Sequence, residues 1–181
     1  MNLKRLLLIA LPLCLGIGLW LGYRVFSGPA DVIAAFEVRC LVPMAQGSSP
    51  DLSELQDAPG FEPEGIAKQA GLLSGTAIIT HNSVQDPKSE GCIVTDTQAP
   101  LLEVKDQVAA FESWANAATQ TGRYSDIENC SDDENAYYRV LNTVSAEEGD
   151  VPVRIVMTAF YPEPYYALTA ATGAEMVPMC S

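Results

Sequence analysis

Apolar positions recur at steps of three and four between Leu102 and Thr121: Val104, Val108, Phe111, Trp114 (or Ala115) and Ala118. That spacing predicts a helix with one buried face. Pro100 precedes it and Gly122 stops it. A second helix is predicted over Ala30–Leu41, with Asp31 as N-cap and Val32, Ile33, Phe36 and Cys40 on one face. A short third one is expected over Glu64–Ala70, between Pro63 and Gly71. Two β-branched runs, Gly75–Asn82 and Gly91–Thr97, read as a hairpin around an eight-residue loop, SVQDPKSE. Three more strands are expected at Ala136–Val144, Val151–Tyr161 and Tyr165–Thr172, with turns at Glu147–Asp150 and Pro162–Pro164. Pro43–Pro63 is rich in Pro, Gly, Ser and Asp and reads as a long connection, with one turn of helix at Leu52–Leu55. The segment holding Cys130 reads as an acidic loop.

These elements predict an α+β fold, an antiparallel sheet of about five strands with helices packed mainly on one face. No internal repeat or low-complexity tract stands out. The domain is expected to cover residues 30–181.

Ahead of it, Leu6–Tyr23 is an uncharged run, LLLIALPLCLGIGLWLGY. As a helix it would be roughly 27 Å long, close to a bilayer core. Lys4 and Arg5 lie before it, and Trp20 and Tyr23 sit near its far end, where amphipathic rings favour the interface. The expectation is one N-terminal transmembrane helix at 6–23 after a cytoplasmic start at 1–5. The basic start places the following domain outside the cytoplasm, in the periplasm of a single-pass inner membrane protein. The competing reading is a cleaved signal peptide, which would release the domain; an h-region is normally about 7–15 residues, shorter than this run. Gly18 and Gly22 form a GxxxG pair within it.

Charge sharpens the picture. The chain carries 10 Lys and Arg against 23 Asp and Glu, a net charge of −13. Every acid lies at Asp31 or later, so from residue 25 onward 7 basic residues face 23 acidic ones, a net of −16. Such a domain repels phosphate backbones, which argues against a nucleic-acid partner.

Beyond Cys14 in the apolar run, four cysteines remain: Cys40, Cys92, Cys130 and Cys180. An even number in an exported chain reads as two disulfides, with three possible connectivities. Cys40–Cys92 is favoured because a predicted helix could lie over a predicted strand. Cys130–Cys180 is favoured because it would tie down the tail. The wide spacing lacks any C-x-x-C pair, so a zinc ribbon is not expected.

The F-x-x-x-C pattern at Phe36–Cys40, the C-x-V at Cys92–Val94 and the order of anchor then acidic domain resemble small uncharacterised envelope proteins of alphaproteobacteria. The resemblance implies export and a Cys40–Cys92 bridge. It implies no activity.

Candidate chemistry is sparse. His81 is the only histidine, with no nucleophile motif around it. Asp126, Glu128, Asp132, Asp133 and Glu134 cluster near Cys130 without the glycine and glutamate of a calcium loop. No phosphate-binding glycine motif occurs. No catalytic residue, metal or cofactor is expected. Tyr137, Tyr138, Tyr161, Tyr165 and Tyr166 crowd the last three strands. Those facing outward would form a partner-binding patch for another envelope protein. The expected function is therefore a membrane-anchored, non-catalytic binding domain. The alternative is an envelope hydrolase using carboxylates and tyrosine.

Overall fold

The computed structural model describes residues 29–58, 66–72, 75–85, 88–96, 99–132, 135–144 and 151–173. The expected transmembrane run at 6–23 lies outside them. Among the described residues no helix is long and apolar enough to cross a membrane.

The chain opens with helix α1 (Pro29–Phe36), which continues through a π turn (Glu37–Leu41) into α2 (Val42–Ala45). Three strands of increasing length follow: β1 (Gln56–Asp57), β2 (Ile66–Leu72) and β3 (Gly75–Gln85). Strand β4 (Lys88–Asp96) leads to the long helix α3 (Leu101–Gln120). Strands β5 (Tyr124–Asp132), β6 (Ala136–Thr143), β7 (Arg154–Phe160) and β8 (Tyr165–Thr172) complete the fold. All pair in one antiparallel sheet of order β1-β2-β3-β4-β8-β7-β6-β5. The order of elements thus repeats, helix then four-strand meander, and the meanders join where β4 meets β8.

The expected five-stranded sheet is therefore wrong, since the sheet has eight strands. Most of strand β2 lies in Glu64–Ala70, expected as a short helix between Pro63 and Gly71, and Ala67, Lys68, Gln69 and Ala70 do favour a helix locally. Seven backbone pairs with β3, from Ile66↔His81 to Leu72↔Gly75, override that preference. Strand β5 was expected as an acidic loop. Its residues are polar, yet it runs the length of β6 with a bulge between Asp126 and Glu128. The β3–β4 loop is also shorter than expected, because pairing continues to Gln85↔Lys88.

The first helix runs past its expected end. Pro43 cannot donate to a carbonyl one turn back. The π turn just before it widens the spacing, with the Val42 N–H donating to Glu37 O. Both helical stretches then close in the same way. Gly47 and Gly122 take φ of 71° and 73°. The Ser48 N–H donates to Pro43 O at 2.8 Å and the Arg123 N–H to Ala118 O at 3.0 Å. Glycine is favoured there because a side chain is strained at positive φ.

One face of the sheet packs under the helices. Ala77, Ile79, Cys92, Val94, Leu168, Ala170, Ile155, Met157 and Leu141 join Phe36 and Phe111 in one core. The Cys40–Cys92 disulfide pins the π turn to β4, with Cα atoms 5.5 Å apart. The opposite face has its own smaller cluster, Tyr138, Val140 and Val156, with Cys130 packed against it.

Candidate functional site

The two helices run side by side in the same direction. Midway, the Trp114 indole N–H donates to Glu37 Oε1 at 2.9 Å. At their ends, Leu41, Val42 and Ala45 meet Thr121 and Gly122 around one hollow of about 390 Å³. Tyr124, Thr143, Val144 and Val151 supply its other wall. Backbone bonds fix this rim: the Val151 N–H donates to Ala45 O at 2.9 Å, and the Val144 N–H to Arg123 O at 2.8 Å. Half of its lining residues are aliphatic: Leu41, Val42, Ala45, Val144 and Val151. Val42 and Val144 are each 47% exposed, so the hollow opens to solvent through apolar side chains. The single cation of its lining, Arg123, lies over the Tyr124 ring at 5.7 Å. Partial burial, with Glu37 adding to it, holds the Tyr124 phenol above its ordinary range.

Sequence reasoning missed this hollow. Its walls come from the end of the expected first helix and the segment after it (Leu41, Val42, Ala45), the stop of α3 (Thr121, Gly122), a strand expected as a loop (Tyr124), and the facing ends of two expected strands (Thr143, Val144 and Val151).

The five tyrosines do not form one patch. Tyr137 and Tyr166 are buried beneath the helices, at 5% and 1% exposure. Burial pushes both phenols well up, reinforced at Tyr137 by Glu112 and at Tyr166 by Asp96 and Glu103. Tyr138 is buried in the cluster on the opposite face. Tyr161 and Tyr165 stay half-buried at the turn between β7 and β8. Successive strand residues point to opposite faces, so Tyr137 and Tyr138, and likewise Tyr165 and Tyr166, had to part.

The most connected polar group is Arg139, which no sequence signal singled out. Its side chain is 3% exposed on the helix-covered face of β6. Nη1 donates to Glu112 Oε2 at 2.6 Å and to Asn116 Oδ1 at 3.0 Å, both from α3. Nε and Nη2 grip Asp126 of β5 at 2.9 and 2.8 Å, a two-pronged pair. The Tyr137 hydroxyl donates to Glu112 Oε1. Hydrogen bonding to Asp126 raises the guanidinium pKa further. The guanidinium bonds run to Glu112 and Asn116 on one side and to Asp126 on the other, so the cluster clamps α3 to β5 and β6. Asp126, one of the acids weighed for a calcium loop, is committed to Arg139 on a strand.

His81 sits opposite Cys92 in the β3–β4 ladder. Its Nε2 is buried without a hydrogen-bond partner, 3.8 Å from Glu90 Oε2. The Ser49 hydroxyl lies 3.2 and 3.0 Å from the two Glu90 oxygens and donates to that carboxylate. A serine nucleophile would need its proton directed at the imidazole. Here it is directed at the acid, and histidine and serine share no hydrogen bond.

Of the expected cysteine residues, Cys40 and Cys92 are joined. Cys130 is disulfide-bonded as well. Cys180, its expected partner, lies outside the described residues. Among the described residues no group of three or more His, Cys, Asp or Glu could hold a metal ion.

No family model, curated protein or solved structure matches the chain.

Proposed function

We propose that this is a single-pass inner membrane protein whose periplasmic domain binds another envelope protein and carries out no catalysis. The apolar run at 6–23 is the anchor. The Cys40–Cys92 bridge supports an oxidising compartment, since such bonds rarely persist in the cytosol. Cys130 pairs with Cys180 in this reading. Along β5–β6–β7–β8, Cys130 is level with Ala167, three strands from β8. The diagonal from Gly173 to Cys130 is then about 24 Å, within the roughly 25 Å reach of the chain from Gly173 to Cys180.

The observation that carries the binding role is the hollow at the helix C-termini, with Val42 and Val144 exposed on its rim. A volume near 390 Å³ falls in the range of small binding sites, about 300–1,000 Å³. Its lining offers no carboxylate pair and no nucleophile–base pair. Both features suit an apolar side chain seated from a partner. The net charge of −16 beyond residue 24 favours a partner with basic residues flanking that side chain. A photocrosslinker at Val144 in cells should yield one adduct of defined mass, and Val42→Asp should abolish it without lowering the melting temperature. Equal adduct formation in Val42→Asp would refute this site.

A further inference from the structure

One end of the domain gathers exposed apolar and aromatic side chains, and it is the end from which the chain leads back to the apolar run. Helix α3 begins there. Leu101 and Leu102 in its first turn are 39% and 77% exposed. The turn between β7 and β8 lies beside it: the Lys105 ammonium sits 5.5 Å from the centre of the Tyr161 ring. Phe160, 43% exposed, stacks on Tyr165 at 6.2 Å, and Pro162 and Pro164 lie between them around a shallow hollow.

Helix α1 runs in the same direction as α3, because Glu37 meets Trp114 and the C-terminal ends meet at Leu41 and Thr121. Pro29, eight residues before Glu37, therefore starts at the level of the first turns of α3. Only residues 24–28 separate it from Tyr23, and the six steps from Tyr23 to Pro29 span at most about 21 Å. An anchor at 6–23 therefore holds this end within a short distance of the bilayer surface, whatever path the linker takes. Aromatic rings with polar tips, and lysines whose stems lie along apolar surface, are the side chains that favour that layer.

We infer that the start of α3 and the β7–β8 turn rest in the headgroup layer of the membrane, with Leu102, Phe160, Tyr161 and Tyr165 as the contacting side chains. The inference rests on the anchor proposed above. The acids at this end, Asp96, Glu103, Asp106 and Glu163, repel anionic lipid, so the surface it fits is a zwitterionic one. The opposite end, with the hollow at Val42 and Val144, then faces away from the membrane and towards a partner.

The test uses the full chain, with native disulfides formed, in liposomes of phosphatidylcholine alone. Leu102→Cys and Val144→Cys variants, made in a Cys14→Ala background so that the added thiol is the free one, carry a fluorophore. The Leu102 label should be quenched by a quencher attached to lipid and be severalfold less sensitive to aqueous iodide than the Val144 label. Adding Phe160→Ser and Tyr165→Ser should return the Leu102 label to water, and mixing in anionic lipid should do so in part. Equal iodide access at both labels, in a protein that resists carbonate extraction, overturns this inference and leaves the anchor standing. Release by carbonate overturns the anchor and the inference together. Shielding of Leu102 seen only in native membranes, and not in pure lipid, overturns it in favour of a protein neighbour.

Discussion

Replacing Arg139 by Met tests whether the clamp between α3 and the sheet contributes as its geometry says. The guanidinium is 3% exposed, while its partners Glu112 and Asp126 keep 30% and 47% of their side-chain surface. Removing one member of a buried ion pair commonly costs about 3–5 kcal/mol, mostly from the charges left behind. Here those charges can draw in water, which places the loss at the low end, about 3 kcal/mol. With a slope near 2 kcal/mol/M, the urea midpoint should fall by about 1.5 M. The assay is Trp114 fluorescence in a Trp20→Phe background, because Trp114 packs against Phe111 and Tyr124 with centroids 5.4 and 5.1 Å away. Neutralising the stranded acids as well, in Arg139→Met/Glu112→Gln/Asp126→Asn, should restore much of the loss. A single-variant loss below about 1 kcal/mol, or a triple variant no better than the single, would refute the clamp.

Cys40→Ala/Cys92→Ala opens a loop of sequence separation 52 and should lower stability by about 4 kcal/mol, read as a denaturant midpoint. An unchanged midpoint would mean the bridge constrains nothing in the unfolded chain. Partial burial first, then Asp96 and Asp106, holds the Glu103 carboxyl above its ordinary range. A carboxyl raised on folding contributes stability that is complete below its unfolded pKa and lost as pH rises through its folded one. Glu103→Gln should therefore be slightly more stable at neutral pH, by no more than about 0.5 kcal/mol after solvent screening. That advantage should disappear in acid, and one that grew on acidification would contradict the sign. Non-reducing peptide mapping should recover Cys130 joined to Cys180; a Cys130–Cys14 peptide would rule out that pairing.

Helix α3 was legible almost to the residue, because a twenty-residue segment with a 3.6 period and clear stops has few competing structures. Strands β7 and β8 were legible for a similar reason, being rich in β-branched and aromatic residues. The missed strands were those in which local preference points elsewhere. Nothing in Ile66–Leu72 reports that β3 offers it a full ladder, and the polar run of β5 alternates too weakly to stand out. The π turn that carries the first helix past Pro43 has no sequence signature of its own. Arg139 looked like one more strand arginine, since its partners lie 27 and 13 residues away in sequence on two other elements. The hollow was hidden for the same reason, being assembled from the ends of elements whose boundaries sequence reads worst.

In the proposed function, the apolar run at 6–23 carries an acidic domain into an oxidising space, where its first helix is fastened to the middle of the sheet. The redox state of Cys40 and Cys92 in acid-quenched cells, for the whole chain and for a chain lacking residues 6–23, measures this directly. The whole chain should yield both cysteines oxidised and linked, and the deleted chain should yield them reduced. Free thiols at both positions in the whole chain would contradict the claim.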